Sequence, residues 1–478
     1  MYQNFNTRKR FITRVVTYFI MATAVIIGLA GTIVWLLGYR FDVQEARVER
    51  SSLLQFQTFP AGAKIAVNDV ELGFTTPGRY DESKPGANTV KFWLDGYHDW
   101  VKTINLRATE VRWLNYTRLV PKDLRTDKVA TFGGYHQSQV SPNGQWILLH
   151  ETPSARDFKI IDISDPRNTR QVDLTLPEAI LPLGEGETET FEIVEWDTSS
   201  NFVLIRRAVG ERTEILRVDR RDDKNSLNLT RDFNLDMAQP HFLNGDNGVV
   251  FALVGTDIRR FEIGSKSVSA PLVSGVTGYD IYGDGKLAYV AEIRKNDQVT
   301  QEVGVHFRDK KYVVANYDEV RPTRASFTHH YRTDYLAIAR GNELSVIPHP
   351  LDNRGEDDVA DTTTVTLEAG ADYLMHNGSG RFLVAGRGEA VATYDLETGE
   401  MFSFTLPGLT VRPRWIDDYH LNYVRDGRLV MTEFDGANSQ TLVETGAGGV
   451  FSTNNEYLFT FKTVGDGVNF DRSRMVVN

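Results

Sequence analysis

The 478 residues are 41% hydrophobic and 24% charged, the composition of a folded chain with room for two or three domains. No cysteine is present, which excludes disulfides, thiolate metal sites, iron–sulfur clusters and cysteine nucleophiles. The formal charge is −11, and because the first fifty residues hold seven basic and three acidic groups, the remainder stands near −15. That argues against a nucleic-acid partner and against docking onto an anionic membrane face beyond any tether.

Val15 to Tyr39 reads VVTYFIMATAVIIGLAGTIVWLLGY, without a charge. About 20 helical residues span the hydrocarbon core of a bilayer, so the run predicts a transmembrane helix over 15–39. Arg8, Lys9, Arg10 and Arg14 precede it, whereas Arg40 and Arg47 are mixed with Asp42, Glu45 and Glu49. The positive-inside bias puts residues 1–14 in the cytoplasm as a short tail and the body of the chain outside. Trp35 and Tyr39 stand where aromatic side chains meet the outer headgroups. A cleaved signal peptide is the competing reading, but the run ends in bulky Trp35, Leu36 and Leu37 where a peptidase needs small residues. A buried helix of a soluble protein would show a polar face, and none interrupts the run. Residues 40–50 alternate in charge and predict a helical extension or short stalk.

From Ser51 the pattern changes to short alternating strands broken by turns. Pro60-Ala61-Gly62-Ala63 is a tight turn, Asn68-Asp69 a second and Gly73 through Pro77 a third. Pro85-Gly86 then leads into two strands around Asp95-Gly96. These elements, with Ile65 to Asn68 and Gly96-Tyr97-x-x-Trp100, resemble the PEGA domain over about 51–121. Alanine at 61 replaces the family's glutamate, and Asp69 takes a turn position often given to glycine; the turn logic survives both changes. The resemblance implies a small β-sandwich of prokaryotic surface and envelope proteins, with no catalytic residues to carry over. The missing disulfides lean the same way for an exported body. Tyr97 and Trp100 are expected in the small core, with an aromatic binding platform as the alternative.

The remaining chain, 122–478, repeats itself. An apolar strand, a polar turn and a second apolar strand recur at Val140–Ile147, Trp196–Phe202, Phe242–Val249, Ile281–Leu287, Phe327–Tyr335, Met375–Phe382, Trp415–Leu421 and Phe451–Leu458. Intervals of roughly 35 to 55 residues suit propeller blades. A four-stranded blade cannot cover both of its faces alone, whereas radial stacking covers them. The predicted fold is therefore mainly β: one transmembrane helix, a PEGA-like sandwich and a β-propeller of about eight blades. Seven is the alternative, because Glu178–Glu189 and Leu351–Thr364 are long insertions. The Ser141-Pro142-Asn143-Gly144-Gln145-Trp146 phrase resembles the blade turn of TolB-type and WD-type propellers. The last unit is one strand short, and Lys128 to Phe132 is expected to supply it and close the ring.

No catalytic motif stands out: HExxH, a phosphate loop and the G-x-S-x-G elbow are all missing. His329 and His330 are adjacent on the HHYRTD turn and point apart, and His349 lies between two prolines; both read as solvated loops. The acidic stretches Gly184–Glu192 and Leu351–Thr364 lack calcium-loop spacing and read as solvated. Trp196 and Trp415, each just before a blade turn, are candidates for the propeller mouth, with packing between blades as the alternative. No cofactor or metal is expected. The function expected is a membrane-tethered extracytoplasmic binding or scaffold protein of the cell envelope. Its partners would be the lipid bilayer through the helix and an envelope protein or cell-wall polymer. The alternative is a propeller-based envelope hydrolase or lyase acting on a glycan or peptide, which would show carboxylates, His or Arg without structural partners at the axis. A sensor signalling through the helix is disfavoured, since about fourteen residues leave no output domain.

Overall fold

The computed structural model describes residues 4–36, 39–42, 47–296, 298–352, 362–409, 411–446 and 449–477, with side chains at 10–33 and beyond 50. Two compact units emerge, Met1–Asp123 with Val477–Asn478, and Leu124–Val476.

In the first unit the apolar run is a helix, Asn4–Leu36. Its stretch of membrane-spanning length and composition is Arg10–Ile33, none of it buried. The helix thus takes in most of the tail expected at 1–14, and its described residues end at Leu36, before Tyr39. Tyr39 instead opens a strand, Tyr39–Asp42, that pairs antiparallel with Arg47–Arg50. The charges read as a helical or stalk pattern follow the strand period of two: Arg40 opposes Glu49, and Asp42 opposes Arg47.

The sandwich packs a sheet of Ser52–Phe59, Gly78–Ser83 and Val111–Arg118 against one of Lys64–Val67, Val70–Thr75, Gly86–Trp93 and Trp100–Leu106. Strand Ser52–Phe59 alternates, with Leu54 and Phe56 turned into a core that also holds Ile65, Phe92, Tyr97 and Trp100. Two of the turn motifs are one device. Thr76 Oγ1 accepts the Ala63 N–H at 3.0 Å, and the Gly62 N–H reaches the Thr76 carbonyl at 2.8 Å. Asn68 and Asp69 take positive φ (49° and 64°), giving the two-residue hairpin between Val67 and Val70 the twist its strands need. Gly73 does not turn: it sits within strand Val70–Thr75, and the chain reverses at Thr76-Pro77.

The second unit holds eight four-stranded antiparallel sheets among the described residues. Taken in order they are blades one (from Gln137), two (from Glu189), three (from Ala238), four (from Val276), five (from Thr323), six (from Tyr373), seven (from Arg414) and eight (from Val450). Adjacent blades share hydrophobic cores. Leu148 and Phe158 of blade one pack with Phe191, Val203 and Leu216 of blade two. The series runs round to blade eight, whose Tyr457, Phe459 and Phe470 pack with Ile147, Leu149 and Ile161 of blade one. A strand buried by neighbours on both faces reads as an unbroken apolar run, as Ile147, Leu148 and Leu149 do, all 0% exposed. The sheets therefore close into an eight-bladed propeller, not a seven-bladed one. The closing strand is Thr126–Phe132, antiparallel to Gly467–Arg474 in blade eight.

The turn after the first strand explains a repeat of spacing without letters. Ser141, Asp197, Asn377 and Ser452 each accept, through a side-chain oxygen, the backbone N–H five residues on, at 2.7 to 3.0 Å. Any short side chain with an acceptor serves, so the residue varies while the interval holds.

Candidate functional site

First strands of neighbouring blades meet, as between blades one and two, two and three, four and five, and five and six, so their polar residues face the axis or the adjoining blade. A strand turns successive side chains to opposite faces. Hence Tyr279 of blade four faces blade three while Asp280 faces blade five. Five blades contribute to a polar belt: Glu195 (two), His241 (three), Tyr279 and Asp280 (four), Ser326 (five) and His376 (six).

Its hydrogen bonds run from blade to blade. His241 Nδ1 lies 2.6 Å from Glu195 Oε2, and the Phe242 N–H donates to Glu195 Oε1 at 3.2 Å. The Tyr279 ring meets His241 edge-on at 5.4 Å, and its hydroxyl donates to the Gln239 carbonyl at 2.5 Å. Asp280 accepts the Ile281 N–H on one oxygen at 2.9 Å and the Ser326 hydroxyl on the other at 2.7 Å. Ser326 Oγ lies 3.4 Å from His376 Nδ1, and the His376 ring packs on Tyr282 at 5.6 Å.

The two imidazoles titrate in opposite directions. Burial favours neutral His241, but the Glu195 hydrogen bond and the Glu195 and Asp280 charges outweigh it and raise its pKa. Burial lowers the pKa of His376 against a weaker pull from Asp280. Burial, with the same two carboxylates, holds the Tyr279 phenol protonated well above its ordinary range. The arrangement therefore offers fixed donors and acceptors. Because the Ser326 proton is given to Asp280, the serine is not set as a nucleophile with His376 as its base; that pairing requires the proton to face the imidazole. Among the described residues no group of three or more His, Asp or Glu is placed to hold a metal.

Trp196 and Trp415 stand apart from the belt. Trp196 is 4% exposed, packed between blades one and two, with its indole N–H toward the Gln139 carbonyl at 3.4 Å. Trp415 packs against the core between blades six and seven, its ring stacked on Phe382. Both fill space between blades, because a large apolar ring at the end of a first strand is here covered by the preceding blade. Tyr97 and Trp100 are core residues of the sandwich, 2% and 3% exposed. His329 and His330 are the last two residues of strand Thr323–His330, not part of a loop, and His329 is tied to Asp334 at 2.7 Å.

The acidic stretch from Gly184 to Glu192 is exposed over 184–188, as a solvated loop would be, but three of its glutamates meet arginines and Glu189 is buried. Glu189 binds Arg156 and the fully buried Arg207, Glu187 binds Arg212 at 2.7 Å, and Glu192 pairs with Arg206. Beside it a cleft of about 560 Å³ opens between blades one and two, lined by His136, Gln137, Phe191, Glu192 and Arg206. Most of the second acidic stretch, 353–361, lies outside the described residues.

No curated protein matches the chain in sequence. Among solved structures it is similar to the Dos1 propeller (TM-score 0.45, 13% identity, covering 73% of this chain and 96% of that one). It is also similar to oligogalacturonate lyase in complex with manganese (0.40, 10%, 74% and 98%). A third is the dihydro-heme d1 dehydrogenase NirN (0.41, 11%, 74% and 72%). These are likenesses of fold alone. The family comparison matches residues 51–121, and there the chain carries a PEGA domain.

Proposed function

We propose that this is a membrane-tethered binding protein of the cell envelope, with the N-terminus cytoplasmic and the PEGA domain and propeller outside. The helix holds it in the bilayer, and the propeller recognises an envelope protein or cell-wall polymer through its axial belt. The observation that carries this reading is that Glu195 and Asp280 each already accept two protein hydrogen bonds. Carboxylates held in place in this way present their remaining lone pairs to a partner as fixed acceptors.

The test is capture of envelope proteins and cell-wall fragments by the full-length chain in detergent, beside Glu195→Gln and Ser326→Ala. The reading expects both variants to lose at least tenfold in affinity for the captured partner. Unchanged affinity in both would remove the belt from recognition. The 3.4 Å approach of Ser326 to His376 favours a second reading, a hydrolase or lyase acting on a glycan or peptide, in which the serine proton turns from Asp280 to the imidazole. Turnover of envelope glycans or peptides, abolished by Ser326→Ala, would establish it over the first.

A further inference from the structure

The PEGA sandwich carries an apolar patch at one end. Val111 and Trp113 are 49% and 55% exposed on the outer face of strand Val111–Arg118. The parallel neighbour Ser52–Phe59 sets half-buried Leu53 opposite Val111 and Gln55 opposite Trp113. This is the end at which the chain enters from the helix. Arg50 lies across from Tyr39 in the hairpin, so the hairpin folds back on itself, and strand Ser52–Phe59 starts two residues later. Opposed residues in such a pair are about 5 Å apart at Cα. The loop that joins the two sandwich sheets at this end is pinned there too: Ser52 Oγ donates to the Arg107 carbonyl at 2.7 Å, and the Leu53 N–H to that of Glu110 at 2.8 Å.

We infer that the PEGA domain docks on the outer surface of the bilayer that holds the helix, through Leu53, Val111 and Trp113. Three features of the chain select a lipid surface. The hairpin leaves almost no tether, so this end of the sandwich is held at the headgroups, a layer about 5 to 8 Å deep on each side. Tryptophan beside aliphatic side chains is the composition that partitions into that layer. Charge permits it as well. Residues 51–121 hold eight basic and seven acidic groups, whereas 38 basic and 54 acidic groups lie beyond residue 121. The acidity that disfavours contact with an anionic face thus belongs to the propeller, not to this domain.

The inference rests on the tether reading, and the test separates the two. The full chain is reconstituted in phosphatidylcholine–phosphatidylglycerol vesicles with acyl chains brominated near the headgroup, or left unbrominated, and the vesicles are washed with carbonate. The emission lost in Trp113→Phe gives the share of Trp113. That share should fall at least twofold in the brominated vesicles. An equal share in both vesicles, from chain that stays in the pellet, overturns the docking alone. Release of the chain into the wash overturns the tether, and the docking with it. A Trp113 shielded from acrylamide yet unquenched by bromine would point to a second copy of the chain, and would equally overturn the lipid contact.

Discussion

Phe132→Ala should open the propeller at its seam. Phe132 ends the closing strand, is 5% exposed, pairs with Val468 and lies 6.4 Å from the Phe461 ring in the core shared by blades eight and one. Truncating a buried phenylalanine costs about 3 to 5 kcal/mol, the lost transfer energy plus the cavity it leaves. For a unit of about 350 residues, unfolding entropy near 2.1 cal/mol/K per residue converts this to a drop of about 4 to 7 °C in Tm. Deleting Thr126 to Gly133 removes all six paired positions, leaves the edge of strand Gly467–Arg474 bare, and should lower Tm by at least twice as much. Differential scanning calorimetry reads both shifts. Hydrogen exchange adds the location: amides in 146–162 and 457–474 should lose protection together, since one core serves both blades. A Leu174→Ala control, in the core between blades one and two, should leave blade eight protected. If Phe132→Ala moves Tm by less than about 1 °C, a value typical of exposed positions, the strand does not close the ring.

Arg207 is fully buried, with Nε 2.6 Å from Glu189 and Nη1 2.7 Å from Glu214. Arg207→Met leaves Glu214 without its cation and Glu189 with Arg156 alone, and should cost about 3 to 5 kcal/mol in denaturant unfolding, with partial recovery when both glutamates become glutamine. Asp197, 2% exposed, accepts the Asn201 and Phe202 N–H groups at 2.8 and 2.7 Å. Asp197→Ala should lose about 1 to 3 kcal/mol in the same assay, and Asp197→Asn, which keeps an acceptor, less than half of that. The two axial histidines should shape pH dependence in opposite ways. With the folded pKa of His376 below 6.5, the unfolded chain binds more protons there, so stability falls as pH drops below 6.5; His376→Gln should remove that acid-side loss. The contribution of His241, whose folded pKa is raised, is complete below 6.5 and disappears as pH rises through the raised value, so His241→Gln should flatten the melting profile on that side. Melts that keep the wild-type profile in both variants would refute the assignment.

Local pattern by itself determined the apolar helix, most of the PEGA turns, the recurrence of blade units (with eight or seven left open) and the strand that completes the last one. The first three rest on residues near one another in the chain, where turn chemistry and the strand period act directly; the closing strand was legible only as the strand that the last unit lacked. Gly73 and the 40–50 segment were misread because a glycine suits a strand as well as a turn, and alternating charges suit a hairpin as well as a stalk. Only the tertiary structure decided where Trp196 and Trp415 sit, that the glutamates of 187–192 are matched by arginines from other strands, and that Glu195, His241, Asp280, Ser326 and His376 form one belt. Those belt contacts join residues 46 to 50 positions apart, one blade to the next. The one sequence trace of the belt is a titratable or hydroxyl residue recurring in successive first strands. Such residues become neighbours only when whole sheets pack side by side, so the physics that unites them is the burial of blade faces.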